Sequence, residues 1–575
     1  MEEENVKLFC TAPWGTEAIV EEEVMTAAPQ ARLHAVPAME WPRHEMSEAA
    51  LDLQLANSAR VSQGLLGTVR FSIPMKKNPD DGETTSQYPA DVKSVVEAVW
   101  RLRSTEACCA LIGSCSIDQG LTVVLPQLSK MKESIRHCCE TIAMACLDVP
   151  PGDGVLFRVT AVRRELPATC GASASSSPSA SFTQTELGEE VGFAIGELFP
   201  SWKVNLRFFN VDFLVVQVGS RLTLGCVLHA PNLPRMENKN ATLGEQLQLA
   251  RKRRTYAQPL FDGKLDTSAV RHDVPPPSHF KNELRVAKGM NAMHPALAHA
   301  MVALAGVQPG DIVLDPLGGC GSTLVEALLL GPKIHVLSGE LEFKLGVQLA
   351  AENLHNVSAL SDRWSALCSA GPLLRKEGTD LDSTTRLLPG FGSANVLRWN
   401  AMRLAVRDDS VDVVVSDLPF GVRCGNSDIN GELYPALIIE FWRVLAKPKA
   451  SGVDCGAAPR ETGRLVLLTV ALDLVMQLAS TRWRLPDPKQ KRKKPLHKTL
   501  VYMASRQKQT ESSTNAKPRD ELTMAETCDG DENGQPGLDA TGVEVGPLFR
   551  LVRLPTRVDM NGQYPFLMVF EPIAQ

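Results

Sequence analysis

From Asn291 onward the chain alternates between short apolar runs and amphipathic segments, and this alternation constrains its fold more than any other feature. The pattern predicts strands at 311–315, 334–337, 411–416 and 464–469 and helices at 295–305, 323–330, 343–354 and 433–445. Strands that alternate with helices at this spacing favour a doubly wound parallel sheet. Two later apolar segments, at 549–554 and 564–570, predict a hairpin that closes this sheet.

Two smaller units precede the alternating region. In the first, predicted strands at 7–12 and 67–73 surround a helix that begins at Thr16. The second combines a strand at 154–161, a helix at 185–199 and a hairpin around Gly219-Ser220. We therefore predict an N-terminal α/β unit at 1–115, a second unit at 116–235, a linker at 236–285 and a C-terminal domain at 286–575. The polar, acidic stretch 507–545 is predicted to be a disordered insertion in that last domain.

Composition excludes several classes of protein. The 575 residues carry 60 Lys+Arg against 66 Asp+Glu, and 44% of them are hydrophobic, which excludes a wholly disordered or purely basic chain. The 14 cysteines form no C-x-x-C pair, so reduced thiols in an intracellular compartment are expected rather than a zinc site or a disulfide framework. The acidic N-terminus predicts no secretory signal, and the apolar runs are too short to span a bilayer.

A glycine-rich turn, D-P-L-G-G-C-G-S-T at 315–323, connects a predicted strand to a helix. Glycines let the backbone approach a ligand closely, and the start of a helix offers free N–H groups. No lysine follows the last glycine and the G-x-G-x-x-G spacing is absent, which excludes a P-loop and a dinucleotide fingerprint. Glu340, after the next strand, is placed to bond a ribose hydroxyl pair. A nucleoside without a pyrophosphate, such as S-adenosylmethionine, meets this description; a purely structural turn is the alternative.

A second motif, S-D-L-P-F-G at 416–421, directly follows the predicted strand 411–416. It places a carboxylate, a proline and an aromatic ring at the carboxyl end of a strand, where doubly wound sheets hold their ligands. An exocyclic amine could donate to Asp417 and to the Leu418 carbonyl, while Phe420 stacks on a base. The alternative is a β-turn with a buried phenylalanine.

These motifs carry a resemblance to a known family. The run D-L-P-F-G at 417–421 resembles the D-L/I-P-F-G motif of THUMP-domain RNA guanine-N2-methyltransferases, and 315–321 resembles their D-P-x-C-G-x-G motif. Trp399-Asn400 is similar to the W-D segment that precedes the family's catalytic strand. Upstream, 9–24 looks like the amino-terminal region of eukaryotic members, and 157–160 with 218–228 resembles the THUMP module.

The resemblance implies a Rossmann-like methyltransferase sheet preceded by a ferredoxin-like α+β unit and a THUMP domain. It implies direct methyl transfer from S-adenosylmethionine to the guanosine N2 amine of a structured RNA, tRNA first of all, with no metal. It assigns catalysis to Asp417, Leu418, Pro419 and Phe420. It assigns cofactor binding to Asp315, Leu317, Gly319, Gly321, Glu340, Asn400 and Asp417.

Two positions depart from the family pattern: Gly318 replaces its cysteine, and Asn400 replaces its acid. They leave open a non-catalytic RNA-binding protein with a degenerate cofactor site; methylation of an amino group in DNA or in a protein glutamine is a third hypothesis. The resemblance also implies a small activator subunit and a cytoplasmic location, and no membrane partner is expected. Basic runs at 163–164, 251–254 and 489–494 are candidate RNA contacts, and the last could instead be a nuclear address.

Overall fold

Two eight-stranded sheets account for most of the ordered architecture. The computed structural model describes residues 5–34, 36, 51, 55, 58–63, 65–74, 102–117, 120–139, 155–164, 182–206, 209, 211–228, 292–330, 334–342, 346–354, 386–387, 393–421, 427–447, 462–485, 543–560 and 563–574. The predicted linker 236–285 and the basic runs at 251–254 and 489–494 lie outside these residues. So does the predicted insertion 507–545, except for its last three residues, which form a strand.

The first sheet contains the strands of both N-terminal units. They are β1 (Asn5–Thr11), β2 (Arg32–Leu33), β3 (Thr68–Pro74), β4 (Ala107–Ser116), β5 (Leu156–Arg164), β6 (Lys203–Val204), β7 (Val211–Val218) and β8 (Arg221–Val227). The helices are α1 (Glu17–Ala27), α2 (Ala59–Ser62), α3 (Val124–Lys130), α4 (Lys132–His137) and α5 (Gln184–Leu198), with a 3-10 turn at Leu121–Val123. The strand order is β2-β3-β1-β4-β8-β7-β5-β6.

Strand β4, which the sequence pattern did not predict, joins the two N-terminal units. It pairs antiparallel with β1 on one side and with β8 on the other. The predicted boundary at 115/116 therefore falls at the end of a strand that both units share. Cys10 and Cys108 lie opposite each other on β1 and β4 and are joined by a disulfide, contrary to the expectation of reduced thiols alone. Their pairing depends on strand register, which the scattered spacing of the cysteines does not reveal.

The second sheet belongs to the C-terminal domain. Its strands are β9 (Ile312–Asp315), β10 (His335–Glu340), β11 (Arg386–Leu387), β12 (Ser393–Arg398), β13 (Val413–Asp417), β14 (Arg464–Thr469), β17 (Phe549–Arg557) and β18 (Phe566–Pro572), while β15 (Trp483–Leu485) and β16 (Val543–Val545) form a separate ribbon. The helices with assigned bounds are α6 (Pro295–Ala305), α7 (Ser322–Leu328), α8 (Ser427–Val444) and α9 (Leu472–Ser480).

The order of the second sheet is β11-β12-β10-β9-β13-β14-β18-β17. Strands β12, β10, β9, β13 and β14 are parallel, and β18 runs antiparallel between β14 and β17. This is the doubly wound order, in which the connection reverses between β9 and β13 and opens a crevice at the carboxyl ends of those strands. The predicted Rossmann-like sheet and its closing hairpin are confirmed; the ferredoxin-like and THUMP assignments upstream stay predictions.

Alternate residues of the central strands pack on opposite faces of the sheet. Leu314 and Val414 lie in the apolar cluster with α8 and α9, whereas Val313, Val413 and Val415 lie with α6 and α7. Apolar residues on both faces are what a strand covered on both sides requires. Helix α6 begins as the sequence indicates, with Pro295 in its first turn and the His294 ring accepting a hydrogen bond from the Ala296 N–H at 3.2 Å.

The first sheet packs against the C-terminal domain through buried ion pairs and aromatic rings. Arg164 forms ion pairs with Glu106 and with Asp559 of the C-terminal domain, and only 6% of its side chain is exposed. The Trp14 ring stacks on Tyr564 with centroids 5.6 Å apart. The pair 163–164 is therefore not a free basic surface: Arg164 is used inside the protein, and Arg163 donates to the Phe182 carbonyl at 2.9 Å. None of the described helices has the length and apolar character needed to cross a bilayer.

Candidate functional site

Both sequence motifs lie at the crevice of the second sheet. Asp315 ends β9 and Asp417 ends β13, and these neighbouring parallel strands bring the two carboxylates to the same edge. Ser416 links them: its hydroxyl lies 3.4 Å from Oδ1 of Asp315. Glu340 ends β10 at the same edge, and the Trp399 N–H bonds the Glu340 carbonyl at 3.1 Å. The structure thus brings together the residues that the sequence assigned to one site.

Asp315 holds the glycine-rich loop in place. Its Oδ1 accepts from the Leu317 N–H at 3.2 Å, and its Oδ2 accepts from the Thr323 hydroxyl in the first turn of α7. Burial raises the pKa of Asp315 to about 7, and the negative charge of Glu340 adds to that rise. Because both carboxylate oxygens bond within the loop, Asp315 fixes the shape of the loop on which a ligand would rest.

Two glycines in the loop adopt a left-handed backbone. Gly319 has φ of 51°, and Gly321, which caps α7, has φ of 79°, so both positions favour glycine. The Gly318 N–H donates to the Gly339 carbonyl at 2.9 Å and ties the loop to β10. The turn therefore forms although the family's cysteine is missing at 318.

Space explains why glycine stands at 318. A Cβ built there would lie 2.3 Å from the hydroxyl oxygen of Ser338, which is fully buried on β10. That hydroxyl has no hydrogen-bond partner among the described residues. Ser338 thus fills the volume that a side chain at 318 would need, and Gly318 is matched to its neighbour.

Glu340 and Asn400 border the loop on the side of β10 and β12. Oε2 of Glu340 accepts from the Gly319 N–H at 3.2 Å, and its Oε1 accepts from the Leu341 N–H at 2.7 Å. The Asn400 side chain is exposed, and its Oδ1 accepts from the Met402 N–H at 3.0 Å. An acid beside a glycine-rich loop fits the ribose contact predicted for Glu340, and exposed Asn400 lies two residues beyond β12.

Asp417 contains a buried polar atom that no described residue bonds. The residue is partly exposed, yet its Oδ1 is shielded from solvent and receives no hydrogen bond from the described residues. Burial raises the pKa of Asp417 to about 8, and nearby Asp315 adds to the rise. A buried acceptor without a donor is costly, and at the ligand-binding edge of a doubly wound sheet a bound ligand can supply the missing donor.

The turn after Asp417 is held from helix α8. The Pro419 carbonyl accepts from Nδ2 of Asn430 at 2.8 Å and from the Tyr434 hydroxyl at 2.9 Å. The Leu418 N–H bonds the Leu468 carbonyl at 2.9 Å, and the Leu418 side chain is buried. Phe420 is half-buried against the cluster that contains Val415. The whole motif is thus rigidly connected to α8 and β14.

Three residues that no sequence motif indicated also shape this site. Gly339 leaves room for Trp399: a Cβ at 339 would lie 1.5 Å from the indole nitrogen, which donates to the Pro316 carbonyl at 3.2 Å. Asn353 donates to the Cys320 carbonyl at 2.8 Å and holds the far end of the loop. Asn430 holds the Pro419 turn, and its spacing of four from Tyr434 was the available signal.

Metal ligands are not assembled in the part of the chain that the structure describes. No group of three or more His, Cys, Asp or Glu side chains there could hold a metal ion. What the described residues offer is a glycine-rich loop, a helix start, an acid beside the loop and a buried carboxylate at the next strand. This arrangement suits a nucleoside ligand and an amine donor.

The second sheet and its site have a Rossmann-like, doubly wound architecture that suits a nucleoside ligand, and the sequence of this region is similar to methyltransferases. Residues 282–453 match the UPF0020 family, described as RMKL-like, methyltransferase domain. The tRNA (guanine(6)-N(2))-methyltransferase THUMP3 of Bos taurus is 31% identical over 288 residues, which cover 50% of this chain and 41% of that protein. The tRNA (guanine(10)-N2)-dimethyltransferase of Methanothermobacter thermautotrophicus is 28% identical over 169 residues, 29% of this chain and 39% of that protein.

Among solved structures, TrmN from Thermus thermophilus aligns with 99% of this chain and 100% of its own, at a TM-score of 0.44 and 18% identity. The chain spans about two fifths of the length of the curated relatives it matches. The resemblance stated from the motifs at 315–321 and 417–421 is confirmed by these relatives, both of them guanine-N2-methyltransferases by name.

Proposed function

We propose that this chain transfers a methyl group from S-adenosylmethionine to the N2 amine of a guanosine in structured RNA, with tRNA as the first substrate to test. The observation that carries the proposal is Oδ1 of Asp417 at the end of β13, a buried acceptor to which no described residue donates. An exocyclic amine supplies the missing donor. The names of two relatives, which act on different guanines of tRNA, support guanine as the acceptor base and leave the nucleotide position open.

The residues around the glycine-rich loop fit S-adenosylmethionine. Gly319 and Gly321 bring the backbone close to a ligand, Glu340 borders the loop as a ribose-binding acid, and the start of α7 offers N–H groups. When bound, this cofactor supplies an electrophilic methyl group on a positively charged sulfur. Ionised Asp417 and the negative edge of the sheet favour that positive charge.

Asp417 activates the amine by orientation and charge. The guanine N2 amine is a weak nucleophile because its lone pair is delocalised into the ring. A hydrogen bond to Asp417 directs the nitrogen toward the methyl carbon and stabilises the positive charge that develops on it. The N–C bond forms as the C–S bond breaks, and the nitrogen then loses one proton. Burial raises the pKa of Asp417 to about 8, so once the positive charge of the bound cofactor has ionised this carboxyl group it can accept that proton near neutral pH.

The Pro419 turn positions the base. Asn430 and Tyr434 hold its carbonyl, so the backbone between Asp417 and Phe420 has a fixed shape. Phe420 is partly exposed and offers a ring face on which a base can stack. A guanine that enters this site has to leave any helical stack first, which favours unpaired or easily opened positions in the RNA.

The test is methyl transfer from labelled S-adenosylmethionine to total tRNA by the full-length protein. Asp417→Ala removes the acceptor, so we expect loss of N2-methylguanosine formation while S-adenosylmethionine and tRNA still bind. Asp473→Ala, at an exposed acid in the first turn of α9, is the matched control and keeps wild-type activity. Activity retained by Asp417→Ala would contradict the role assigned to Asp417.

A non-catalytic RNA-binding protein is the second candidate, motivated by Gly318 and Asn400. The fit between Gly318 and Ser338 weakens the first of these motives, because the loop forms without a side chain at 318. Calorimetric titration with S-adenosylmethionine separates the two candidates. Two results together would favour the non-catalytic RNA-binding protein. One is that S-adenosylmethionine does not bind, and the other is that the level of N2-methylguanosine in tRNA and small nuclear RNA is unchanged after depletion of the protein.

We also propose that the first sheet contributes to RNA binding and that a small activator subunit accompanies the chain in the cytoplasm. The resemblance to the THUMP family supports all three proposals. Methyl transfer by the purified chain alone, compared with the chain co-purified from cells, tests the activator. A photo-crosslink from 4-thiouridine-containing tRNA to residues 156–227 tests the RNA-binding surface.

A further inference from the structure

Asn430 lies beside the Asp417 motif with one polar atom unused. Only 8% of the residue is exposed, and its Nδ2 donates to the Pro419 carbonyl at 2.8 Å. Tyr434, one turn later on α8, donates to the same oxygen at 2.9 Å. Two donors thus converge on one carbonyl, although one would suffice to satisfy it.

The direction of the Asn430 amide follows from that bond. A carbonyl oxygen accepts and cannot donate, so the nitrogen of the amide has to face Pro419 and the oxygen has to face away from it. That oxygen, Oδ1, is buried and receives no hydrogen bond from the described residues. Oδ1 of Asp417, two residues before Pro419, is in the same condition. Two buried acceptors to which no described residue donates therefore flank one turn.

A pair of acceptors selects a base by its donors. The Watson–Crick edge of guanine presents two adjacent donors, the ring N1–H and the N2 amine. Adenine and cytosine present one amine next to a ring nitrogen that only accepts hydrogen bonds. In this site that ring nitrogen would face the second oxygen, and neither atom would have a proton to donate. A site built to receive a hydrogen bond rejects the analogue that lacks it far more strongly than a site that only fits a shape.

We propose that Asn430 determines base specificity: its Oδ1 accepts the guanine N1–H while Asp417 accepts from the N2 amine. The inference rests on the proposed function and adds a residue that binds the ring N1–H of the base, whereas Asp417 binds the reacting amine. The structural alternative is that Asn430 only holds the Pro419 turn. Tyr434 makes the same bond to Pro419, so Tyr434→Phe is a matched control for that alternative.

The experiment compares two RNA substrates that differ in one donor. One is a tRNA with guanosine at the position that the wild-type protein methylates, and the other carries 2-aminopurine there. 2-Aminopurine keeps the amine at C2 but has an unprotonated N1. We expect the wild-type kcat/KM to favour guanosine by on the order of 100-fold or more.

Asn430→Ala is expected to lower kcat/KM for guanosine by about 10- to 100-fold more than kcat/KM for 2-aminopurine, which falls only by the factor that loss of the bond to Pro419 causes, so that the preference collapses. Tyr434→Phe is expected to lower kcat/KM for both substrates by one common factor and therefore to keep the preference for guanosine. Asn430→Asp retains an acceptor oxygen but replaces the donor to Pro419 with a buried carboxyl oxygen, so it is expected to lower kcat/KM for both substrates and still keep most of the preference, even if Asn430→Ala fails to fold. Melting temperature and S-adenosylmethionine binding verify that each variant is folded.

Two failures are distinguishable. If the wild-type protein methylates no guanosine in tRNA or small nuclear RNA, the proposed function fails and Asn430 is not at issue. If it does methylate guanosine, two results would overturn the assignment of Asn430 as the acceptor of the guanine N1–H. One is that Asn430→Ala lowers kcat/KM for both substrates equally, and the other is that Asn430→Asp loses the preference for guanosine.

Discussion

Arg103 and Glu326 form an ion pair with 2.5 Å between Nη2 and Oε2, and their side chains are only 6% and 1% exposed. Arg103 belongs to the N-terminal part of the chain, whereas Glu326 lies on α7, the helix that begins at the glycine-rich loop. Glu23 on α1 adds to this contact, because it accepts from the Ser104 N–H at 2.9 Å and lies 2.8 Å from His299. Charged residues of the N-terminal part of the chain therefore contact the helix that follows the glycine-rich loop.

Removing one partner of this ion pair is expected to destabilise the whole chain. Arg103→Met leaves the Glu326 carboxylate buried without its principal cation, and such changes cost about 3–5 kcal/mol. Arg136→Met, in the exposed pair with Glu133 on α4, is the matched control and is expected to cost less than about 1 kcal/mol. Urea denaturation followed by circular dichroism measures both. Equal small losses for the two variants would show that the buried pair does not stabilise the contact.

His299 gives the same contact a dependence on pH. Burial and the nearby Arg103 lower the pKa of His299, but the bond to Glu23 at 2.8 Å and the Glu326 carboxylate 3.6 Å away outweigh them and raise its pKa above the usual value. A raised folded-state pKa contributes stability that is complete below about pH 6.5 and is lost as pH rises through the folded pKa. The free energy of unfolding of the wild-type protein should thus exceed that of His299→Gln more at pH 6 than at pH 9. A constant difference across this range contradicts a protonated His299.

The sequence predicts most of the elements around the site but not the contacts between them. Helix α6 and strand β14 have the predicted bounds, since each has a clear periodicity and well-defined ends. Strand β4 was missed because its sequence, ACCALIGSCS, consists mostly of small residues and has one β-branched residue, Ile112, so its conformation depends on pairing with β1 and β8. Pairing across about one hundred residues leaves no local signal.

The same limit applies within the site. Asp417 and the glycine-rich loop were predictable, because a parallel sheet brings the carboxyl ends of its strands together. The role of Asn430 was not predictable. Its Oδ1 is left without a donor from the described residues because its Nδ2 bonds Pro419, and only the packing of α8 creates that bond. From the sequence alone, Gly318 is a departure from the family motif. The structure explains it, because the Ser338 hydroxyl, twenty residues later, occupies the space that a side chain at 318 would need.

The fit of Gly318 to Ser338 predicts a rescue experiment. Gly318→Ala places a Cβ 2.3 Å from the Ser338 hydroxyl, and overpacking of this kind costs about 1–3 kcal/mol. We expect weaker S-adenosylmethionine binding by roughly tenfold, because the loop has to shift. Ser338→Ala removes an oxygen that has no partner among the described residues, so alone it should bind like wild type. The double variant should regain most of the affinity in calorimetry; a double variant as weak as Gly318→Ala would refute the pairing.

Ionisation of Asp417 predicts how cofactor affinity depends on pH. Burial raises the pKa of Asp417 to about 8 and that of its neighbour Asp315 to about 7, so the pair holds protons in the free chain at pH 6. The sulfonium charge of S-adenosylmethionine favours the ionised carboxylates, and binding at low pH has to release protons first. Affinity should therefore rise by on the order of tenfold between pH 6 and pH 8.5, with proton release visible in calorimetry in buffers of different ionisation enthalpy.

Two controls isolate the carboxylate in that experiment. S-adenosylhomocysteine has the same amino acid and nucleoside groups without the sulfonium charge, so its affinity should change much less with pH. Asp417→Asn keeps the shape of the side chain and removes its titration, so it should reduce the pH dependence for S-adenosylmethionine to the part that Asp315 contributes and leave that of S-adenosylhomocysteine unaltered. Equal slopes for the two ligands in the wild-type protein would mean that Asp417 does not sense the transferred methyl group's positive charge, because only that charge distinguishes the two ligands at the carboxylate.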